Sequence, residues 1–259
     1  MSSTIIGWAG LLASLIFVAV AVGLSAQQRL SLTTPIVVSV VRSLAQMMIV
    51  GVALVPLVRP QTPLWWSWLW VIGIVFFAAY TITRRAPAVP ELYVIALAAM
   101  AAVAVVGLAV IFGARIFELN GRTLVPVAGM IVGNSMKSAV IAAARVSESV
   151  ADHRAEIEAG LALGMTPRRA FDRQLRSALR TAISSQVEQT AALGIVFLPG
   201  AMTGLILAGV DPMEAVFAQL ALMYVILAGV VIAVVVTGLG TLRRLTTADQ
   251  RLVSVARVR

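Results

Sequence analysis

Lys137 is the sole lysine of the 259-residue chain, and it follows Asn134 by three positions inside an apolar stretch. On a helix that spacing puts both side chains on one face. An ionisable group at membrane depth marks an ion or substrate path, its structural alternative being a side chain that snorkels to the interface. Glu188 precedes the next apolar run and offers a partner to Lys137 or Arg42 across a bundle. Met130, Met136 and Met202 carry soft thioethers able to pass a metal ion, or else to fill irregular gaps in packing.

Other chemistries lack their residues. A phosphate-cradling loop needs glycine directly before lysine, and Met136 precedes the only lysine. The chain cannot be its own ATPase. There is no cysteine, His153 is the single histidine, and no His-Glu-x-x-His exists, so thiolate and zinc-hydrolase sites are excluded. No catalytic constellation remains, and the chain does not read as an enzyme.

These residues must be positioned by membrane helices. Hydrophobic residues make up 60% of the chain and charged ones 12%, more apolar surface than a soluble core of this size can hide. A spanning helix needs about 20 apolar residues. Seven stretches qualify, at about 5–26, 35–58, 64–83, 90–113, 123–146, 189–208 and 212–240. They are continuous rather than alternating, which predicts an all-α bundle and not a barrel. The first lacks a basic leader and an Ala-x-Ala site, so it reads as a permanent span. One transmembrane domain over 1–259 follows, with a polar insert at about 147–188.

Basic residues set the orientation. With the C-terminus inside, Arg29, Arg84, Arg85, the seven arginines of 145–180 and the five from Arg243 to Arg259 are cytoplasmic, leaving Arg59, Arg115 and Arg122 outside. That asymmetry predicts N-out, C-in. The net charge of +9 then lies on loops beside anionic lipid, so no nucleic-acid partner is expected. The tryptophans at 65, 66, 68 and 70 fall at the outer end of the third span, as an aromatic belt requires.

The insert reads as a helical hairpin between spans five and six. Residues 147–163 form its first arm and Gly164 ends it. Thr166 and Pro167 restart the chain as N-cap and first helical residue. An acidic stripe of Glu148, Asp152 and Glu156 and a basic one of Arg169, Arg173, Arg176 and Arg180 are placed to face each other. The corner is available to a cytosolic partner.

The segment "FLPGAMTGLILAGVDPMEA", 197–215, is punctuated within an apolar run. Pro199 removes an amide hydrogen and predicts a break near 198–200. Gly200 and Gly204 make a Gly-x-x-x-Gly pair that lets another backbone approach. Backbone groups freed in a membrane are buried in protein or line a wet cavity, so the break is a candidate gate. Asp211, Pro212 and Glu214 read as a capping box for the last helix rather than as metal ligands.

Two sets of motifs resemble known proteins. "EAGLALGMTP", 158–167, resembles the EAA-type coupling segment of ABC-transporter permeases through Glu158, Ala159, Gly160 and Gly164, while the usual Ile-x-Leu-Pro is replaced by Gln174, Leu175, Arg176 and Ser177. "VPVAGMIVGNSM", 125–136, and "LPGAMTGLILAGVDPMEAVFAQ", 198–219, resemble signature stretches of the FetB-type permease family. The resemblance covers about 120–245. It implies a multi-pass permease in the cell inner (plasma) membrane, a homodimer, and a cytosolic ABC ATPase that binds ATP and Mg. The chain itself is expected to hold no cofactor. The implied cargo is a metal such as iron, or a nucleotide sugar such as UDP-glucose as in plant members. A scaffold that transports nothing fits the composition as well. In the family pattern a Lys-Thr pair precedes the glycine matching Gly194. Here Ala191 and Ala192 stand there, as if the cation had moved to Lys137.

Overall fold

The computed structural model describes residues 8–28, 31–57, 62–194, 198–247 and 251–252. Among them the chain is a polytopic bundle of helices without strands, divided into two compact units, Met1–Arg59 and Pro60–Arg259. The first unit holds α1 (Trp8–Gln27) and α2 (Thr33–Leu57), two apolar helices. Ser31, at φ 55°, turns the chain between them.

The second unit is built on α3 (Leu64–Arg85), α4 (Leu92–Gly113), α5 (Gly121–Asp152) and α10 (Pro212–Arg244). Glycines set how closely these helices approach. A methyl group added at Gly107 would touch Ile131 and Val225, and one at Gly229 would meet Ser135 Oγ and Val103 Cγ1, each at 3.2 Å. One at Gly240 would collide with Ile95. Residues rising along α10 therefore meet residues falling along α4 and rising along α5, so α10 is antiparallel to α4 and parallel to α5. Met100, Val103, Ile131, Leu222 and Val230 are fully or almost fully buried in the seam.

Three short elements and one longer helix follow α5: α6 (Arg154–Ala162), α7 (Pro167–Ala170), α8 (Asp172–Ala191) and α9 (Gly200–Leu207). The chain runs as one helix from Gly121 through Asp152, so the first arm of the expected hairpin is the end of α5, turned at His153 into α6. A second apolar cluster closes this end, where Val150, Ile157, Phe171, Leu175, Leu242 and Leu245 are buried together. α8 then returns antiparallel to α10. Leu175 and Leu179 stand against Gly238, and Ala182 and Leu193 pack into the main core.

Six helices among the described residues are long and apolar enough to cross a membrane. The seventh expected span, 189–208, is not one helix. α8 stops at Ala191, Gly194 adopts φ 85°, and α9 restarts at Gly200 for eight residues only. The expected break at 198–200 is the far edge of this wider interruption. Pro199, buried and extended, accepts from Thr203 N through its carbonyl and so begins α9. Among the described residues, α8 and α9 share the passage between the two ends of the bundle.

Charge separates the two ends. Arg115 and Arg122 lie at the end where α5 and α10 begin, whereas every other described arginine of this unit lies toward the end where they finish. There Glu91, before α4, pairs with Arg244 at the end of α10. The tryptophans at the start of α3 occupy the opposite end, Trp65 stacked on Trp66 at 4.2 Å. The Asp211 carboxylate accepts from Met213 N at 2.8 Å and Glu214 N at 3.3 Å and so caps α10; of the expected capping box, this half is seen among the described residues.

Candidate functional site

The corner at the basic end is built by local rules. Gly164 N donates to Leu161 O and Met165 N to Gly160 O, both at 3.0 Å. These two bonds form a Schellman motif, whose left-handed residue is Gly164 at φ 83°. Thr166 and Pro167 then start α7, with Thr166 serving as N-cap through its backbone while its hydroxyl makes no capping bond. Gly160 has a different duty. A methyl there would stand 3.4 Å from Met165 Sδ and 3.5 Å from Ala170 Cβ, so its small size lets α6 and α7 meet.

This corner is anchored on one side and bare on the other. Ile157 and Phe171 plug the second cluster, which also takes the ends of α5 and α10. Leu163 is 81% exposed and Met165 45%, which leaves an apolar tip, with Thr166 exposed beside it. Glu158 and Ala159 face outward, Glu158 held by Arg154 at 2.8 Å. Beside the tip lies a cleft of about 520 Å³ lined by Thr166, Arg168, Arg169, Asp172 and Arg176.

Where the stripes were expected to face each other, Glu148 and Arg176 are paired within their own helices. Arg145 binds Glu148 at 3.0 Å and Arg176 binds Asp172 at 2.8 Å. Across the corner, Gln174 Nε2 donates to Glu156 Oε2 at 3.3 Å. Partners three or four residues away on a helix are already in reach.

Within the bundle, Asn134 is half-buried and spends its amide locally, Nδ2 donating to Met130 O at 2.8 Å. Lys137 is exposed on the outward stripe of α5, and neither it nor Glu188 has an ion partner among the described residues. Met130 and Met136 pack against the main core as half-buried side chains, and Met202 is half-buried on α9. No group of three or more His, Cys, Asp or Glu able to hold a metal occurs among the described residues. Gly200 and Gly204 line an open face of α9, where an added methyl would meet nothing within 4 Å.

Sequence reasoning passed over a second set of polar groups. Ser135 Oγ, Gln186 Nε2, Gln219 Oε1, Thr237 Oγ1 and Thr241 Oγ1 are buried without a hydrogen-bond partner among the described residues. It also passed over α8 as an element packed into the main core, because its low apolarity reads as cytosolic. The spacing of Ser177, Thr181, Ser185 and Glu188, four, four and three residues, was the available signal.

Comparison with known proteins follows the same lines. A profile of the family described as "Uncharacterised protein family (UPF0014)" matches residues 8–246. The chain is 37% identical to the UPF0014 membrane protein STAR2 of Oryza sativa subsp. japonica over 206 residues, 80% of this chain and 72% of that one. It is 34% identical to the protein ALUMINUM SENSITIVE 3 of Arabidopsis thaliana, covering 82% and 77%. To the probable iron export permease protein FetB of Escherichia coli it is 29% identical, covering 93% and 92%. No solved structure matches the chain. With its apolar helices and its motifs falling inside the matched region, the chain is a multi-pass membrane protein and belongs to the UPF0014 family.

Proposed function

We propose that the chain is the permease subunit of an ABC transporter, oriented N-out and C-in in the cell inner membrane. It acts as a homodimer with a separate cytosolic ATPase that binds ATP and Mg, and exports a metal cation such as iron. The observation that carries this reading is the corner of α6 and α7. Its tip offers Leu163 and Met165 to a partner, while its base is locked through Ile157 and Phe171 to the ends of α5 and α10. A push at the tip therefore moves the two longest helices of the bundle. The similarity to a probable iron export permease along most of both chains supports metal as cargo. Gly200 and Gly204 give α9 an open face on which a second copy can pack.

Alternating access is then a reorientation of α5 and α10 against α8 and α9. The test is ATP-dependent uptake of iron(II) into sealed liposomes holding the chain and its ATPase with nucleotide sites outward, with UDP-glucose in parallel. Iron uptake that requires ATP is expected. Uptake of UDP-glucose alone would assign a nucleotide sugar instead. Movement of neither with the complex intact would favour a scaffold. In the same assay Lys137→Met is expected to reduce transport without loss of assembly, and unchanged transport would remove Lys137 from the path.

A further inference from the structure

α8 is polar where its neighbours are apolar, and it is not outside the bundle. Leu179 stands against Gly238 of α10, Ala182 is fully buried in the main core, and Leu193 beyond its end packs there too. Glu188 lies between Ala182 and Leu193, so it sits at the depth of the apolar core. If α8 stays antiparallel to α10 beyond Leu179, Glu188 comes level with Gly229, where Ser135 and Val103 meet.

At this depth the helix has a buried sector and, beside it, an exposed polar one. Leu175, Ala178, Ala182 and Gln186 are buried. At 100° per residue, Ser177, Thr181, Ser185 and Glu188 fall within about 80° of one another in the sector that flanks the buried one, and all four are exposed. Arg173 and Arg180 share this side toward the basic end, while the charge of Arg176 is met by Asp172. The Glu188 carboxylate has no partner among the described residues. Hydrocarbon does not accept such a row. Each ionised side chain at the bilayer centre costs several kcal/mol, and polar faces at that depth look into protein or water.

We propose that this face of α8 is the wall of a water-filled path from the basic end to Glu188, and that Glu188 binds a hydrated divalent cation there. The proposal rests on the permease reading above and names the ligand chemistry of its path. The donors are hydroxyl and carboxylate oxygens, which suit hard or borderline divalent ions, rather than the thioethers of Met130 and Met136, which the core takes up. Arg180 stands eight residues from Glu188, about 12 Å along the helix, a separation at which charges facing water are largely screened.

The chain has no cysteine, so single cysteines report without background. They are placed at Thr181 and Ser185, at Leu163 on the exposed tip, and at Phe76 and Val105, which are apolar and exposed. The purified full chain in liposomes, without ATPase, is treated on both faces with a membrane-impermeant maleimide. Only the thiolate reacts, so positions 181 and 185 are expected to label at least about tenfold faster than 76 and 105 and near the rate at 163. Manganese(II), an air-stable divalent ion, is expected to slow labelling at 185 severalfold, and Glu188→Gln to abolish that protection. Labelling at 181 and 185 no faster than at 76 and 105 would overturn the wet wall. Labelling without manganese protection, or protection that survives Glu188→Gln, would overturn the cation assignment. Because neither readout needs ATP, a failed transport assay leaves this result independently legible.

Discussion

At the scale of single residues, the glycines divide by what a methyl group would meet. At Gly240 the neighbour is Ile95, whose β-branched side chain is stiff at χ1. At Gly238 it is the flexible end of Leu179, and at Gly129 and Gly133 there is open space. Gly240→Ala is therefore expected to destabilise by about 1–3 kcal/mol, Gly238→Ala by less, and Gly129→Ala hardly at all. Thermal unfolding of the detergent-solubilised protein ranks them, and equal midpoints for Gly240→Ala and Gly129→Ala would contradict the packing of α10 on α4. Gly164 acts through backbone shape instead. At φ 83° any side chain is strained, so Gly164→Ala should lower stability by about 1 kcal/mol without touching a neighbour. Gly164→Trp adds bulk at the tip and is expected to uncouple ATPase stimulation while the protein still inserts.

At the scale of elements, α10 depends on its N-cap, Asp211. Removing the cap with Asp211→Ala should cost about 0.5–2 kcal/mol, read as a lower unfolding midpoint, whereas Glu214→Gln should cost little, since Glu214 offers α10 its backbone N–H and Asp211 accepts it. Cap and corner were legible in the sequence because their signals are local: Asp-Pro at 211–212, Gly at 164, Thr-Pro at 166–167. The passage from α8 to α9 was legible only in part. Pro199 announced an interruption, but Gly194 and the end of α8 at Ala191 carry no comparably strong mark. The depth of α8 was hidden altogether, because tertiary packing of Leu179, Ala182 and Leu193 places a helix whose composition alone points to solvent. Glu188 was singled out by charge, yet its neighbours on the same face were not, since hydroxyls are common on soluble helices.

At the scale of the whole molecule, charge asymmetry predicts that the corner faces the cytosol. In right-side-out vesicles a cysteine at Met213 should react with an impermeant reagent and one at Leu163 should not until the membrane is opened, both positions being exposed on opposite ends of the second unit. The reverse pattern would invert the topology and place the tip beyond reach of any cytosolic ATPase. The order in which the bundle is completed follows from the position of α10. This helix fills the seam between α4 and α5 and meets α8 through Gly238, yet it leaves the ribosome after all three. Until Pro212–Arg244 has entered the bilayer, Val103 and Ile131 lack their main apolar cover, and the Glu91 carboxylate waits for Arg244. A nascent chain stalled before this helix is therefore an unsealed assembly, presenting to the cell's membrane proteases the surfaces that the finished protein hides.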